Sequence, residues 1–312
     1  MPSLLWIFID GLGIGRNDPS VNPLARFEPY VLRIFDDRCG PFPKGGICIA
    51  TDACLEVPGL PQSATGQATL FTGLNTARIV GGHRQGYPDA FLRRLVTESS
   101  VFTRLKASGR RVSFANVYTP RFFEQRPRWV SVTTVMAESS GIRLRTFEDL
   151  LEGRGVFMDF TNRLLRQNGF DLPEWTPEQA GRQLVRLARD HDLCLYEYFL
   201  TDLMGHRGSF EEAQAVLHRL DGFLAAVLDE IDLDDCSLLV TSDHGNIEDK
   251  TVRQHTRNPV PTLAWGRLAA LLSARSGALR LDHVAPLVLD YLGWKPPART
   301  ARQYAAPRQE PV

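Results

Sequence analysis

Short apolar runs alternate along this chain with stretches of helical periodicity. Residues 4–9, 111–117, 193–200, 237–241 and 261–265 are the right length and apolar enough to be buried strands. Over residues 210–231, Phe210, Ala213, Val216, Leu217, Leu220, Phe223, Leu224, Val227, Leu228 and Ile231 recur at steps of three and one, giving one continuous apolar helix face. A second helix is predicted over 177–190, with Pro177 suited to a first turn and Thr176 placed as its N-cap. Strands alternating with helices imply an α/β fold: a doubly wound, mostly parallel sheet with helices on both faces. The economical division is a single domain over residues 1–294, followed by a proline-rich, irregular tail over 295–312. The segment 118–129, rich in Arg, Phe and Pro, is either a lid loop or a small excursion from the sheet.

Composition narrows the function classes. The 312 residues include 36 basic and 36 acidic side chains, a formal net charge of zero, and 43% of them are hydrophobic. That supports a sizeable core and argues against a generally basic nucleic-acid coat. Cys39, Cys48, Cys54, Cys194 and Cys236 are odd in number with no Cys-x-x-Cys, so neither a disulfide scaffold nor a cysteine-rich zinc ribbon is expected. The apolar opening stops at Asp10 without a basic flank or a small-residue cleavage site, and no uncharged run is long enough to span a bilayer. A soluble, cytoplasmic protein is expected, with neither nucleic acid nor membrane as partner.

The chemistry-bearing residues collect just after the predicted strands, where ligands bind in doubly wound sheets. The first strand ends in Asp10-Gly11. The 193–200 run leads into Thr201-Asp202-Leu203-Met204-Gly205-His206, and the 237–241 run into Ser242-Asp243-His244-Gly245-Asn246. His255 follows in His255-Thr256-Arg257-Asn258-Pro259, ahead of the next apolar run. Singly, these have ordinary readings as turns, a solvated helix start or a structural histidine. Together, three aspartates and three of the seven histidines lie on one sheet edge. Carboxylate oxygens and imidazole nitrogens are the donors expected of Zn²⁺ or Mn²⁺ in a hydrolytic site, and six of them suffice for two divalent ions with positions open to substrate.

A hydroxyl completes the constellation. In Pro61-Gln62-Ser63-Ala64-Thr65-Gly66-Gln67 a serine opens a predicted helix, where backbone N–H groups favour phosphate. Beside two metal ions such a serine becomes a nucleophile without a histidine base. A plain N-cap is the ordinary reading of the segment alone. Gly11-Leu12-Gly13-Ile14-Gly15 has the wrong glycine spacing for a dinucleotide fingerprint and runs into the loop-like Arg16-Asn17-Asp18-Pro19.

At these residues the sequence resembles the alkaline phosphatase superfamily, and is most similar to the branch of cofactor-independent phosphoglycerate mutase and phosphopentomutase. The resemblance runs from Phe8-Ile9-Asp10-Gly11 to the segment Asn258-Pro259-Val260-Pro261. It implies an alkaline phosphatase-like fold with one metal held by Asp202, His206 and His255. A second would be held by Asp10, Asp243, His244 and the nucleophile Ser63, which takes the phosphoryl group and passes it to water or back to the substrate. Two departures count against mutase activity. The interval from Ser63 to Asp202 is too short for the mutases' inserted domain, so none is expected, and Gln67 stands where they often have histidine.

The leading expectation is therefore a metal-dependent phosphomonoesterase acting on a small phosphorylated substrate through a phosphoserine. A compact phosphomutase follows, then a phosphodiesterase or nucleotide pyrophosphatase, then a binding protein without turnover. For substrate recognition, His83, Arg84, Arg207 and Arg257 adjoin the motifs and are candidates to pair a phosphate or carboxylate.

Overall fold

The computed structural model describes residues 2–296. Seven strands are hydrogen-bonded into one sheet: β1 (Ser3–Ile9), β2 (Ile47–Asp52), β3 (Val112–Phe114), β4 (Leu193–Tyr198), β5 (Cys236–Ser242), β6 (Val260–Trp265) and β7 (Leu279–Arg280), in the order β3-β4-β1-β5-β6-β2-β7. Strands β3, β4, β1 and β5 run parallel, β6 is antiparallel to both β5 and β2, and β7 is parallel to β2. The central strands are buried nearly throughout, which is why they read as continuous apolar runs.

Side-chain alternation along β1 divides the core. Leu4, Trp6 and Phe8 face one layer, which includes the helices Ser63–Thr72, Ala90–Ser99, Val132–Ser139 and Val284–Tyr291. Leu5, Ile7 and Ile9 face the other, against the helices Pro177–Arg189 and Phe210–Glu230. Both of these last helices carry capping boxes, Thr176 with Gln179 and Ser209 with Glu212, so their starts are set by local sequence.

Four strands differ from the pattern-based expectation. The predicted strand over 111–117 shortens to Val112–Phe114, because Asn116 and Val117 leave β4 to bridge Val156 and Arg145. Strand β2 is mostly half-exposed, and β7 is only two residues long, so neither has the apolar density that reveals a buried strand. The 193–200 run stops at Tyr198, and Leu200–Arg207 is a helix. Between Ser63 and Asp202 the chain supplies helices packed on the sheet and a small apolar cluster of Val117, Leu150, Leu165 and Leu172. Within 118–129 lies one short helix, Pro120–Glu124. From residue 297 onward the expected tail lies outside the described residues. Among the described residues no helix is long and apolar enough to cross a membrane.

Candidate active site at the carboxyl edge of the sheet

The predicted ligands come from separate elements that end on the same edge. Asp10 follows β1, Asp202 and His206 lie on the Leu200–Arg207 helix after β4, and Asp243 and His244 follow β5. His255 stands on the loop before β6, and Ser63 opens the Ser63–Thr72 helix. They converge as two clusters, Asp202 with His206 and His255, and Asp10 with Asp243 and His244.

In the first cluster, Asp202 Oδ1 lies 3.4 Å from Nε2 of both His206 and His255, and those two nitrogens are 3.0 Å apart. His206 Nδ1 meets the Arg253 carbonyl at 2.6 Å, and His255 Nδ1 meets the Pro61 carbonyl at 2.8 Å. A carbonyl only accepts, so each Nδ1 carries a proton, which leaves Nε2 as the inward-facing nitrogen able to offer a lone pair to a cation. Two lone pairs and a carboxylate oxygen facing one point suit a cation. Burial opposes ionisation of Asp202, but hydrogen bonding to His255 and the charge of His244 outweigh it and hold its pKa down to about 2.

The second cluster is enclosed. His244 Nε2 is 3.2 Å from Asp10 Oδ1 and 3.5 Å from Asp243 Oδ2, and both carboxylate oxygens are buried without a hydrogen-bond partner. Such orphaned oxygens are costly unless they coordinate something. Burial pushes Asp243 well above the carboxylate range, and Asp10 pushes it further. Burial alone would lower His244, yet Asp243 and Asp10 prevail and raise it to about 10. The cluster thus attracts positive charge, and its donor set fits a divalent ion. The His244 and His255 rings stack with centroids 3.7 Å apart, so the two clusters adjoin.

Ser63 Oγ lies 2.9 Å from His244 Nε2. Thr65, the other hydroxyl of the segment, is fully buried, with its Oγ1 accepting from Arg84 N at 3.1 Å and donating to Gln62 O at 3.3 Å. One turn on from Ser63, Gln67 Nε2 donates to Asp10 Oδ2 at 3.0 Å, which leaves Oδ1 directed at His244.

Two further residues, absent from the sequence-based site, hold these loops together. Asn246 Nδ2 donates to Asp202 Oδ1 at 2.7 Å, and a Cβ at Gly205 would lie 2.4 Å from the Asn246 side chain. Glu248, 1% exposed, accepts at Oε2 from Gly13 N and Asn246 N and at Oε1 from Thr256 Oγ1 and Asn258 Nδ2. A Cβ at Gly13 would lie 2.3 Å from Glu248 Oε1. Close approach to this buried carboxylate is therefore what that position of the glycine run requires.

A cavity of about 730 Å³ opens beside Ser63, Asp10, Asp202 and His206. Of the four residues expected to meet substrate, Arg207 lines it. Arg84 forms an ion pair with Asp89, and His83 Nε2 is 3.1 Å from the Cys54 carbonyl. The Arg257 carbonyl is 4.0 Å from Cys54 Sγ, so Arg257 belongs to that neighbourhood as well. The cavity wall also includes Glu197, which pattern reading passed over as part of β4. Burial raises its pKa to about 8 despite a 2.6 Å hydrogen bond from Thr133 Oγ1. A lone acid in an otherwise uncharged buried strand was the available signal.

Comparison with known proteins agrees with this architecture. Residues 173–296, which carry Asp202, His206, Asp243, His244 and His255, match the family model described as the Metalloenzyme superfamily. The chain is 30% identical over 133 residues to the 2,3-bisphosphoglycerate-independent phosphoglycerate mutase of Mycoplasmopsis synoviae, covering 41% of this chain and 26% of that protein. It is 35% identical over 139 residues to the corresponding mutase of Pseudomonas fluorescens, with 41% and 26% covered. This chain therefore spans about a quarter of the length of these relatives. Among solved structures, the alkaline phosphatase of the Antarctic bacterium TAB5 superposes with a TM-score of 0.54 at 11% identity, over 94% of this chain and 98% of that one. A protein from Pyrococcus horikoshii superposes with a TM-score of 0.56 at 16% identity, over 95% and 98%. The resemblance read from the motifs thus holds in the superfamily match and in an alkaline phosphatase-like fold.

Proposed function

From an alkaline phosphatase-like fold carrying the metalloenzyme donor set, we propose that this chain is a metal-dependent phosphoryl-transfer enzyme that hydrolyses phosphomonoesters through a phosphoserine at Ser63. The observation that carries the proposal is the Ser63 hydroxyl, 2.9 Å from His244 Nε2 and beside the junction of the two clusters. Asp202, His206 and His255 would hold one divalent ion, and Asp10, Asp243 and His244, with Ser63, the other. Mn²⁺ and Zn²⁺ both suit these oxygen and nitrogen donors. When bound, such ions supply charge stabilisation for phosphoryl oxygens and lower the pKa of a coordinated hydroxyl.

The chain's own residues do the positioning. Ser63 sits at the positive end of its helix, which favours a phosphate anion there. Gln67 and Asn246 hold Asp10 and Asp202 in their orientations. In the reaction Ser63 loses its proton and its Oγ bonds to phosphorus. The ester bond to the leaving oxygen breaks, and the alcohol departs carrying one proton from solvent, which balances the one Ser63 gave up to solvent. Water then attacks the phosphoserine, releasing phosphate and restoring the Ser63 hydroxyl, so that one water is consumed per ester cleaved.

A second reading, a compact phosphomutase, is favoured by the sequence similarity to phosphoglycerate mutases. A mutase must keep water from its phosphoserine until the group returns to substrate. Incubating the metal-loaded protein with a phosphomonoester, a phosphodiester and 3-phosphoglycerate distinguishes these readings. Inorganic phosphate released from the monoester supports the proposal. Isomerised phosphoglycerate without phosphate release replaces it with the mutase, and cleavage of the diester alone with a phosphodiesterase. Inertness toward all three with metal bound indicates a binding protein.

A further inference from the structure

The wall of the cavity beside Ser63 is aromatic. Tyr118 and Phe122 pack with ring centroids 4.3 Å apart, and the Tyr118 hydroxyl is 2.7 Å from Thr134 Oγ1, which fixes its ring. Toward the mouth, Tyr87, Trp129 and Phe199 line the cavity while 57%, 49% and 39% exposed. The Trp129 ring is flanked by the guanidinium groups of Arg93 and Arg128, 5.9 and 5.2 Å from its centroid, so it is held in place despite that exposure. Large apolar side chains gathered at the mouth of a cavity mark a binding surface, and a volume of this size suits a small organic molecule.

The charges of the wall exclude a different class of ligand. Arg207 is the one arginine or lysine among the described residues lining the cavity. A substrate with a carboxylate in addition to its phosphate calls for a further arginine fork. Arg84 is paired with Asp89, and neither Arg84 nor Arg257 lines the cavity. With its phosphate at Ser63, a substrate's leaving group would extend along the rings.

We infer that the natural substrate is a phosphomonoester whose leaving group is a flat aromatic without a second anionic group. The inference rests on the phosphomonoesterase reading and narrows it. Ring-on-ring contacts reward such a group beyond the area they bury, while the lining offers a carboxylate one arginine, Arg207, to pair with.

The test compares benzyl phosphate with glycerol phosphate and 3-phosphoglycerate, all esters of alcohols, using the metal-loaded full chain. Benzyl phosphate should show the highest kcat/KM, by at least about tenfold over glycerol phosphate, a factor equal to about 1.4 kcal/mol. Trp129→Ala and Phe199→Ala should each reduce kcat/KM for benzyl phosphate several-fold more than for glycerol phosphate, mainly through KM. Equal use of the two esters, a preference for phosphoglycerate, or a benzyl preference that survives both substitutions would overturn the inference while leaving phosphomonoester hydrolysis intact. If none of the three is cleaved, the phosphomonoesterase reading itself fails. Calorimetry with benzylphosphonate and methylphosphonate then judges the pocket alone, tighter binding of the former supporting it and equal binding overturning it.

Discussion

His206 and His255 face each other through Nε2 atoms 3.0 Å apart, although each has committed its Nδ1 proton to a backbone carbonyl. With both Nδ1 protons so committed, the facing Nε2 atoms and Asp202 Oδ1 can be satisfied together by one positive charge placed among them. The carbonyls of Arg253 and Pro61 thereby orient both rings so that each Nε2 can serve as a metal ligand.

It follows that metal content should track the two clusters separately. Elemental analysis of the wild type should give about two ions per chain, and His255→Ala about one. Full retention of both ions by that variant would refute the assignment of His255. Removing metal with a chelator should abolish phosphate release and lower Tm, because binding to the folded state alone stabilises it.

For the nucleophile, Ser63→Ala should preserve the fold and most of the metal affinity while lowering turnover by at least about a thousandfold. The sharper readout is the quenched reaction: the wild type should yield a phosphopeptide containing Ser63 and the variant none. Phosphate found on Thr65 would contradict the geometry, in which that hydroxyl is buried and already bonded to Gln62 and Arg84.

Glu248 accepts four hydrogen bonds, one from the loop after β1 and three from its own β5–β6 connection, while almost wholly buried. Glu248→Gln keeps the shape but turns an NH₂ group toward donors. Thermal or urea unfolding should show a loss of about 2 kcal/mol or more, with weaker metal binding through the displaced Asn246. An unchanged Tm would mean that these loops do not depend on the carboxylate.

A pH dependence follows from Glu197, whose pKa burial raises to about 8 from the ordinary 4.5 of a glutamate. Between those values the folded chain keeps a proton that the unfolded chain has released, so rising pH favours unfolding across that window. In chelator-treated protein, the wild-type Tm should fall relative to that of Glu197→Gln as pH rises from 4.5 toward 8. A constant difference between the two proteins over that range would show that Glu197 is ionised in the fold.

Much of the architecture was legible locally. Buried parallel strands read as apolar runs, and helix starts at Thr176 and Ser209 are written in side chains three residues apart. The convergence of these Asp and His side chains was legible because carboxyl ends of parallel strands share one edge, so residues far apart in sequence acquire a common address. Strands β2 and β7 escaped because a short or half-exposed strand has no apolar excess to display.

Partnership between side chains is a different quantity from position along the chain. The segment from Ser63 to Gln67 offers two hydroxyls, and only the packing of its helix against the Asp243 loop decides which meets His244. Arg84 and Arg207 both adjoin motifs, yet one is neutralised by Asp89 and the other lines the cavity. The glycine run gains its meaning from Glu248, more than two hundred residues away. Sequence alone determined the donor types and the edge they occupy, because hydrophobic periodicity and capping act within a few residues. Which donors touch, which acid burial pushes toward its neutral form and which rings line the cavity were decided by tertiary structure, because distance, burial and desolvation between remote residues arise only on folding.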